Sequence, residues 1–201
     1  MAKSLPPLPR SFYERAVEQV ARESLGKLLV RRVDRTFTIG RIVEAEAYLH
    51  EGDSASHSAK GLNKKNAAMF GPAGHAYVYV IHARHCVNLV TAREGIASAV
   101  LIRAVEPLQG IPCMQARRQR DSLLDLTRGP ARLCEAFAID RTLNHHDLTL
   151  GKQLWLAEDE PLVSENLAVE TSRRIGVTSA EELLLRFYLR DNRFVSRMRT
   201  T

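Results

Sequence analysis

Residues 28–33, LLVRRV, and 37–49, FTIGRIVEAEAYL, decide the fold. Both are rich in β-branched residues and flank the polar pair Asp34–Arg35, so they read as two strands joined by a turn. Upstream, Ser11 to Gly26 reads as one helix: Ser11 can cap it, Glu14 follows as in a capping box, and Gly26 stops it. Tyr13, Ala16, Val17, Val20 and Ala21 supply its apolar stripe. Downstream, His50 to Ala73 is polar and broken by Gly52, Gly61 and Gly71–Pro72, as a loop would be.

Ala76 to Ile81 and Cys86 to Thr91 are predicted to form a hairpin with His82-Ala83-Arg84-His85 at its tip. Ser98 to Val105 is a further strand, which Pro107 is expected to break before opening a helix to about Arg120. A second helix should run from Gly129–Pro130 to near Ile139. Leu148 to Leu156 reads as a strand pair, Ala180 to Leu184 as helix or turn, and Leu185 to Leu189 as a closing strand. Links this short exclude parallel crossovers. The prediction is therefore an α+β fold: one domain with a mixed, mostly antiparallel curved sheet, surrounding helices and a protruding β-hairpin.

With 201 residues the chain can bury its own core, and it reads as a single domain over 1–201, with flexible ends at 1–10 and 198–201. No apolar run approaches the roughly 20 residues of a membrane span, and the N-terminus lacks an apolar signal region, so an intracellular protein is expected. Cys86, Cys113 and Cys134 are odd in number and widely spaced, as free thiols in a reducing compartment would be. Twenty-nine basic residues against 23 acidic give a net charge of +6, which favours a polyanionic partner without proving one. Charge gathers at Lys60, Lys64 and Lys65, at Arg117, Arg118 and Arg120, and at Arg186, Arg190, Arg193, Arg197 and Arg199.

The residues with chemistry to offer start in the second strand. There Glu44, Glu46 and Tyr48 share one face, Ala45 and Ala47 the other, and Asp53 and His57 follow in the loop. A site rim and a solvated sheet face both fit that pattern. Tyr77 and Tyr79 also share a face, as a stacking wall or as core packing. Arg103 stands inside the apolar run AVLIRAV, where an unpaired charge would be costly. Glu46 is a candidate partner, and such a pair favours the charged carboxylate a general base needs. A purely structural ion pair would look the same. His82, His85 and Cys86, or His145, His146 and Asp147, lack the spacing of a metal site, so neither metal nor cofactor is expected.

Six strings in order, EAEAYL…DSASHS (44–58), MFGPAGHAYVYVI (69–81), CVN (86–88), AVLIRAVEPL (99–108), LTRGPARLCEAFAI (126–139) and LRFYLR (185–190), closely resemble the alkyladenine DNA glycosylase family. These are the methylpurine (3-methyladenine) glycosylases of mammalian type, which have bacterial members. The resemblance runs from about Leu8 to about Arg197. It implies that Glu46 positions and deprotonates the attacking water, that Arg103 helps to hold it, and that the main-chain carbonyl of Leu189 completes its cradle. Tyr48, Tyr79 and His57 would enclose a flipped base, and Asn88 would stand at the pocket floor and disfavour the 2-amino group of guanine. The tyrosine that wedges into the minor groove in the family is replaced by His82 at a shorter tip, so Arg84 is expected to share that role. Lys64 and Lys65 would meet the DNA backbone.

The implied protein is a monomer acting on double-stranded DNA that contains damaged purines, with no strand-cleaving lysine in its site strings. Alternatives are a non-catalytic module that recognises modified bases and an RNA-directed hydrolase.

Overall fold

The computed structural model describes residues 5–160 and 167–196. In chain order the elements are α1 (Arg10–Tyr13), α2 (Val17–Ser24), β1 (Leu28–Val33), β2 (Thr36–Tyr48), β3 (Ala76–Ile81), β4 (Arg84–Thr91), β5 (Ser98–Gln109), α3 (Ile111–Arg118), α4 (Leu123–Thr127), α5 (Pro130–Ala136), β6 (Leu154–Ala157), β7 (Val169–Ser172) and β8 (Arg186–Leu189). The strands form one eight-stranded sheet in the order β3-β4-β5-β2-β1-β6, with β8 also on β2 and β7 on β8. The predicted α+β domain and its hairpin are therefore present. The expected mixed character is not: every strand pair described is antiparallel.

β2 is the axis of the sheet. β5 follows one of its edges from Ile39 to Tyr48, while β1 and then β8 share the other. Register shifts between Ile39 and Gly40, and on both sides of Glu44, bend the strand where it meets β8. Beyond them the alternation holds: Ala45 and Ala47 enter the main core, packed with Val20, Ile102 and Phe137 among others. Glu44, Glu46 and Tyr48 turn to the opposite side, so the solvated-face reading fails for the two glutamates, both 0% exposed.

Several local expectations give way to tertiary structure. The helix expected over 11–26 is two helices parted at Glu14–Ala16; Pro9 occupies the N-cap position, and Ser11 caps nothing. Pro107 does not end its strand, because β5 runs on to Gln109 with Pro107 opposite Gly40 at a register shift. The following helix begins at Ile111 instead, with Pro112 in its first turn, and ends at Arg118. α5 stops at Ala136, since Ala138 takes a left-handed φ of 49°. Leu148–Leu150 is a 3-10 turn capped by Asp147, which leaves β6 alone in place of the expected pair. Of the two forms expected for Ala180 to Leu184, the structure takes the turn. The short α4 and the polar edge strand β7 (VETS) carry too little periodicity to be read from sequence.

At the N-terminus, Leu8 is buried and donates its N–H to the Leu156 carbonyl at 2.8 Å. Arg10 is paired with Asp147 at 2.6 Å. Leu5 to Arg10 are thus held against the domain, whereas residues 1–4 and 198–201, the rest of the two expected flexible ends, lie outside the described residues.

Gly110, at the β5–α3 junction, has φ +79°, and a Cβ there would lie 2.5 Å from the Phe37 carbonyl oxygen. Gly61 has a similar φ of +70° but open space around it. Gly110→Ala should therefore cost about 2–3 kcal/mol and Gly61→Ala about 1 kcal/mol, the difference being backbone collision. Thermal melts of the two variants check this, and equal losses would contradict it.

Candidate active site

The bend in β2 brings Glu44 and Glu46 to the same guanidinium. Arg103, from the middle of β5, donates Nε to Glu44 Oε1 at 3.2 Å and Nη1 to Glu46 Oε2 at 3.1 Å. Burial works against the charged guanidinium, but Glu46 and Glu44 outweigh it and hold its pKa above the ordinary value. The two glutamates then diverge. Glu44 takes Arg186 Nε on Oε1 at 2.6 Å and the Ser196 N–H on Oε2 at 2.7 Å, so with Arg103 its three donors are all structural groups. Glu46 accepts the Tyr48 hydroxyl on Oε2 at 2.9 Å and the Ile175 N–H on Oε1 at 2.8 Å. With Arg103 and Tyr48 both on Oε2, one lone pair of Oε1 remains for a further donor. Ile175 also accepts from Arg103 Nη1 through its carbonyl, at 3.3 Å.

Glu46 does not open onto the cavity mouth, where it was expected. It lies behind Tyr48, whose ring forms cavity wall and whose hydroxyl reaches back to the carboxylate. The cavity holds about 850 Å³, within the span of small-ligand sites. Tyr48, Tyr79, His57 and Asn88 all line it, so the structure brings together the four residues expected around a base. His57 meets the Tyr79 ring edge-on with centroids 4.6 Å apart, and its Nδ1 lies 2.8 Å from the Tyr77 hydroxyl. Packing against these rings, with help from Lys60, lowers the His57 pKa from 6.5 and favours a neutral imidazole. Burial pushes Tyr77 up to about 12 and raises Tyr48 and Tyr79 further, so all three phenols keep their protons at neutral pH. Asn88 donates Nδ2 to the Tyr77 carbonyl at 2.9 Å, which leaves its side-chain oxygen unengaged by that bond.

Leu189 is not gathered into this group. The β2–β8 register sets Arg186 opposite Glu46, which puts Leu189 three residues, or about 10 Å, further along β8. The main-chain groups that meet Glu46 and Arg103 belong to Ile175.

At the hairpin, only His82 and Ala83 form the tip, with φ of 48° and 59°, as a tight two-residue turn needs. The expected four-residue tip fails because Arg84 and His85 are already paired with Ile81 and Val80. His82 and Arg84 are exposed and face the cleft beside α5, where Arg84 lies 3.8 Å from Glu135. Val80 and Ile81, 44% and 49% exposed, are apolar groups at the end of β3 beside the tip that sequence reading left unremarked. Lys65 lines the cavity with Lys60, while Lys64 is exposed and does not.

Of the predicted charge clusters, Arg117 is tied to Thr38 and Ala136, and Arg118 to Glu135. Arg186 is buried against Glu44, so it adds nothing to a surface field. Arg197 and Arg199 lie outside the described residues. The three cysteines are free, with Cys86 and Cys134 buried. Among the described residues no group of three or more His, Cys, Asp or Glu could hold a metal ion, and no helix is long and apolar enough to cross a membrane.

Sequence reading missed Arg174 and Ile175 as site residues and left Tyr77 open between stacking wall and core. Tyr77 had a signal in its shared face with Tyr79; residues 174–175 had none, since their partners are more than 120 positions away.

Comparison with known proteins points to one family. The methylpurine-DNA glycosylase (MPG) family model matches residues 11–193. A protein of Methanoculleus marisnigri is 50% identical over 192 residues, covering 94% of this chain and 98% of that protein. One from Carboxydothermus hydrogenoformans is 47% identical over 191 residues with the same coverage, and one from Legionella pneumophila (strain Lens) is 47% identical over 194. All three are named, provisionally, as 3-methyladenine DNA glycosylases. A match over nine-tenths of the chain places this protein in the methylpurine-DNA glycosylase family, as a hydrolase of N-glycosyl bonds.

Proposed function

We propose that the protein excises alkylated or deaminated purines, of the 3-methyladenine, 7-methylguanine, hypoxanthine and ethenoadenine class, from duplex DNA after turning them out of the helix. The observation that carries this reading is Glu46, held by three donors beside a ring-lined cavity, with one acceptor position left on Oε1. A base inside a duplex is out of reach of such a cavity, and extrusion costs a few kcal/mol. Exposed Val80 and Ile81, with His82 and Arg84, would fill the gap left in the stack, as apolar wedges do elsewhere. Lys64 and Lys65 would take backbone phosphates.

The extruded purine stacks against Tyr48 and Tyr79, beside His57, with Asn88 at the floor. A cationic alkylated purine gains about 0.5–2 kcal/mol from the aromatic faces over a neutral one. The water accepted by Glu46 attacks C1′ of the sugar. Its oxygen bonds to carbon, its proton passes to Glu46, and the electron pair of the breaking C1′–N9 bond leaves with the purine. The carboxylate also stabilises positive charge developing on the sugar. Arg103 holds Glu46 in place. Leu189, from its position on β8, is a less direct candidate for the water than the Ile175 carbonyl. The products are the free base and an abasic site. The protein needs no second copy or cofactor for these steps, and acts as a monomer inside the cell.

Glu46→Gln should lower single-turnover release of 7-methylguanine at least about a hundredfold, while affinity for the duplex stays within about threefold. Retained excision would sink the base role and favour a binding module. Lys60 and Lys65 line the cavity, so a covalent imine is a direct alternative. Borohydride reduction during turnover should trap no protein–DNA adduct, and a trapped adduct would overturn hydrolysis by water.

His57, with its lowered pKa, should stay neutral to below pH 6.5. Folding then favours the unprotonated ring, so its contribution to stability is complete above about 6.5 and fades as pH falls toward the folded-state value. An NMR titration midpoint above 6.5 would contradict this.

A further inference from the structure

Arg174 does not line the cavity, yet its contacts run to the parts that do. Its guanidinium lies over the Tyr48 ring, with Cζ 4.7 Å from the centroid. Nη1 and Nη2 grip Asp53 Oδ2 and Oδ1 at 2.6 and 2.7 Å, and both side chains are 0% exposed. Nη1 also donates to the Ala47 carbonyl at 3.1 Å. Asp53 accepts the N–H groups of Leu49 and Ala55, both at 3.1 Å, and so ties the end of β2 to the loop that carries His57. The next residue after Arg174, Ile175, holds Glu46, and Gly176 after it lines the cavity. One bidentate pair thus anchors the ring, the carboxylate and the rim. A lysine could not replace this planar, two-pronged grip.

The pair also sets a charge balance. With one face of Tyr48 taken by the guanidinium, the other face and the edges are left to the cavity. A purine stacked on that open face would lie about 8 Å from Cζ. A bare cation there would repel a cationic base and compete for the electron-rich ring. A carboxylate 2.6 Å from Nη1 converts the cation into a dipole, whose field falls off faster.

We propose that Asp53–Arg174 is the positioning and charge-balancing pair of the base pocket: Arg174 fixes Tyr48 and, through Ile175, Glu46, while Asp53 cancels the charge behind the ring so that a cationic purine is accepted. This rests on the glycosylase reading above and adds to it which residues set the preference between cationic and neutral lesions.

The test uses the full-length protein and two duplexes whose 2′-fluoro sugars resist hydrolysis, one carrying 7-methylguanine (cationic) and one hypoxanthine (neutral). Asp53→Asn should weaken binding to the cationic lesion about tenfold more than to the neutral one. In Asp53→Asn/Arg174→Met, which removes both charges, the Kd ratio should return to within about threefold of wild type, with single-turnover excision of 7-methylguanine still lowered at least about tenfold. A purely structural role would weaken both duplexes alike, so an unshifted ratio in Asp53→Asn, or a shift that persists in the double variant, overturns the proposal. Should Asp53→Asn not fold, the double variant decides: a folded protein with the wild-type excision rate overturns it, and one with the stated loss supports it. Wild-type protein that neither binds nor excises 7-methylguanine would sink the glycosylase reading instead, and so the two failures are distinguishable.

Discussion

Burying a guanidinium between two carboxylates constrains the rest of this structure. Arg103 comes from the centre of an apolar strand and meets Glu44 and Glu46 with almost no exposure. Several kcal/mol of desolvation per ion must be offset there by geometry and further hydrogen bonds. Those bonds come from distant segments: Ile175, Arg186 and Ser196 all converge on the two carboxylates. The bend in β2, the placement of β8 beside it and the course of the chain after β7 follow from the need to satisfy these atoms. An apolar cluster of the same volume would be as stable or more so. Stability alone therefore does not explain the network, whereas a carboxylate with a free lone pair beside an aromatic cavity has a chemical use.

The sequence shows this half of the site clearly because β-strands repeat every two residues. Glu44, Glu46 and Tyr48 had to share a face, and an arginine inside AVLIRAV had to find an anion. The same logic fails between β7 and β8. Residues 173–179 run as irregular chain with no period to read, and their contacts with 46, 48 and 53 are fixed only by folding. Arg186 misleads for the opposite reason: it sits among surface-type arginines in sequence but is claimed by Glu44. Pro107 and Ser11 were misread because local rules were applied where tertiary pairing prevails. A proline fits a strand where a register shift leaves its missing N–H without consequence, and a serine caps nothing when proline already shapes the helix entry.

The hairpin shows where resemblance and physics separate. The family likeness placed a wedge at His82, which stands exposed at a two-residue tip whose left-handed backbone turns the chain tightly. That tightness moves Arg84 and His85 into the ladder, and leaves Val80 and Ile81 as the exposed apolar groups next to the tip. An apolar side chain loses less than an imidazole on entering a base stack, because it carries no hydration to shed. The short tip and the exposed aliphatic pair are therefore consistent with each other, and on the proposed reading the end of β3 would share the wedge with the apex.

Charge explains why inside and outside are built so differently. With a net charge of +6, the protein attracts phosphates, and that attraction works over roughly 8–10 Å before salt screens it. A cationic purine, the substrate on the reading offered above, must nevertheless enter the same molecule. Around the site Glu44, Glu46 and Asp53 are matched by Arg103, Arg174 and Arg186, all buried. The buried shell behind the cavity wall is thereby balanced, while the excess positive charge, Lys60 and Lys65 at the cavity included, stays exposed, where water weakens it. Without that internal balance, the field that gathers DNA would also oppose the base that the cavity is shaped to hold.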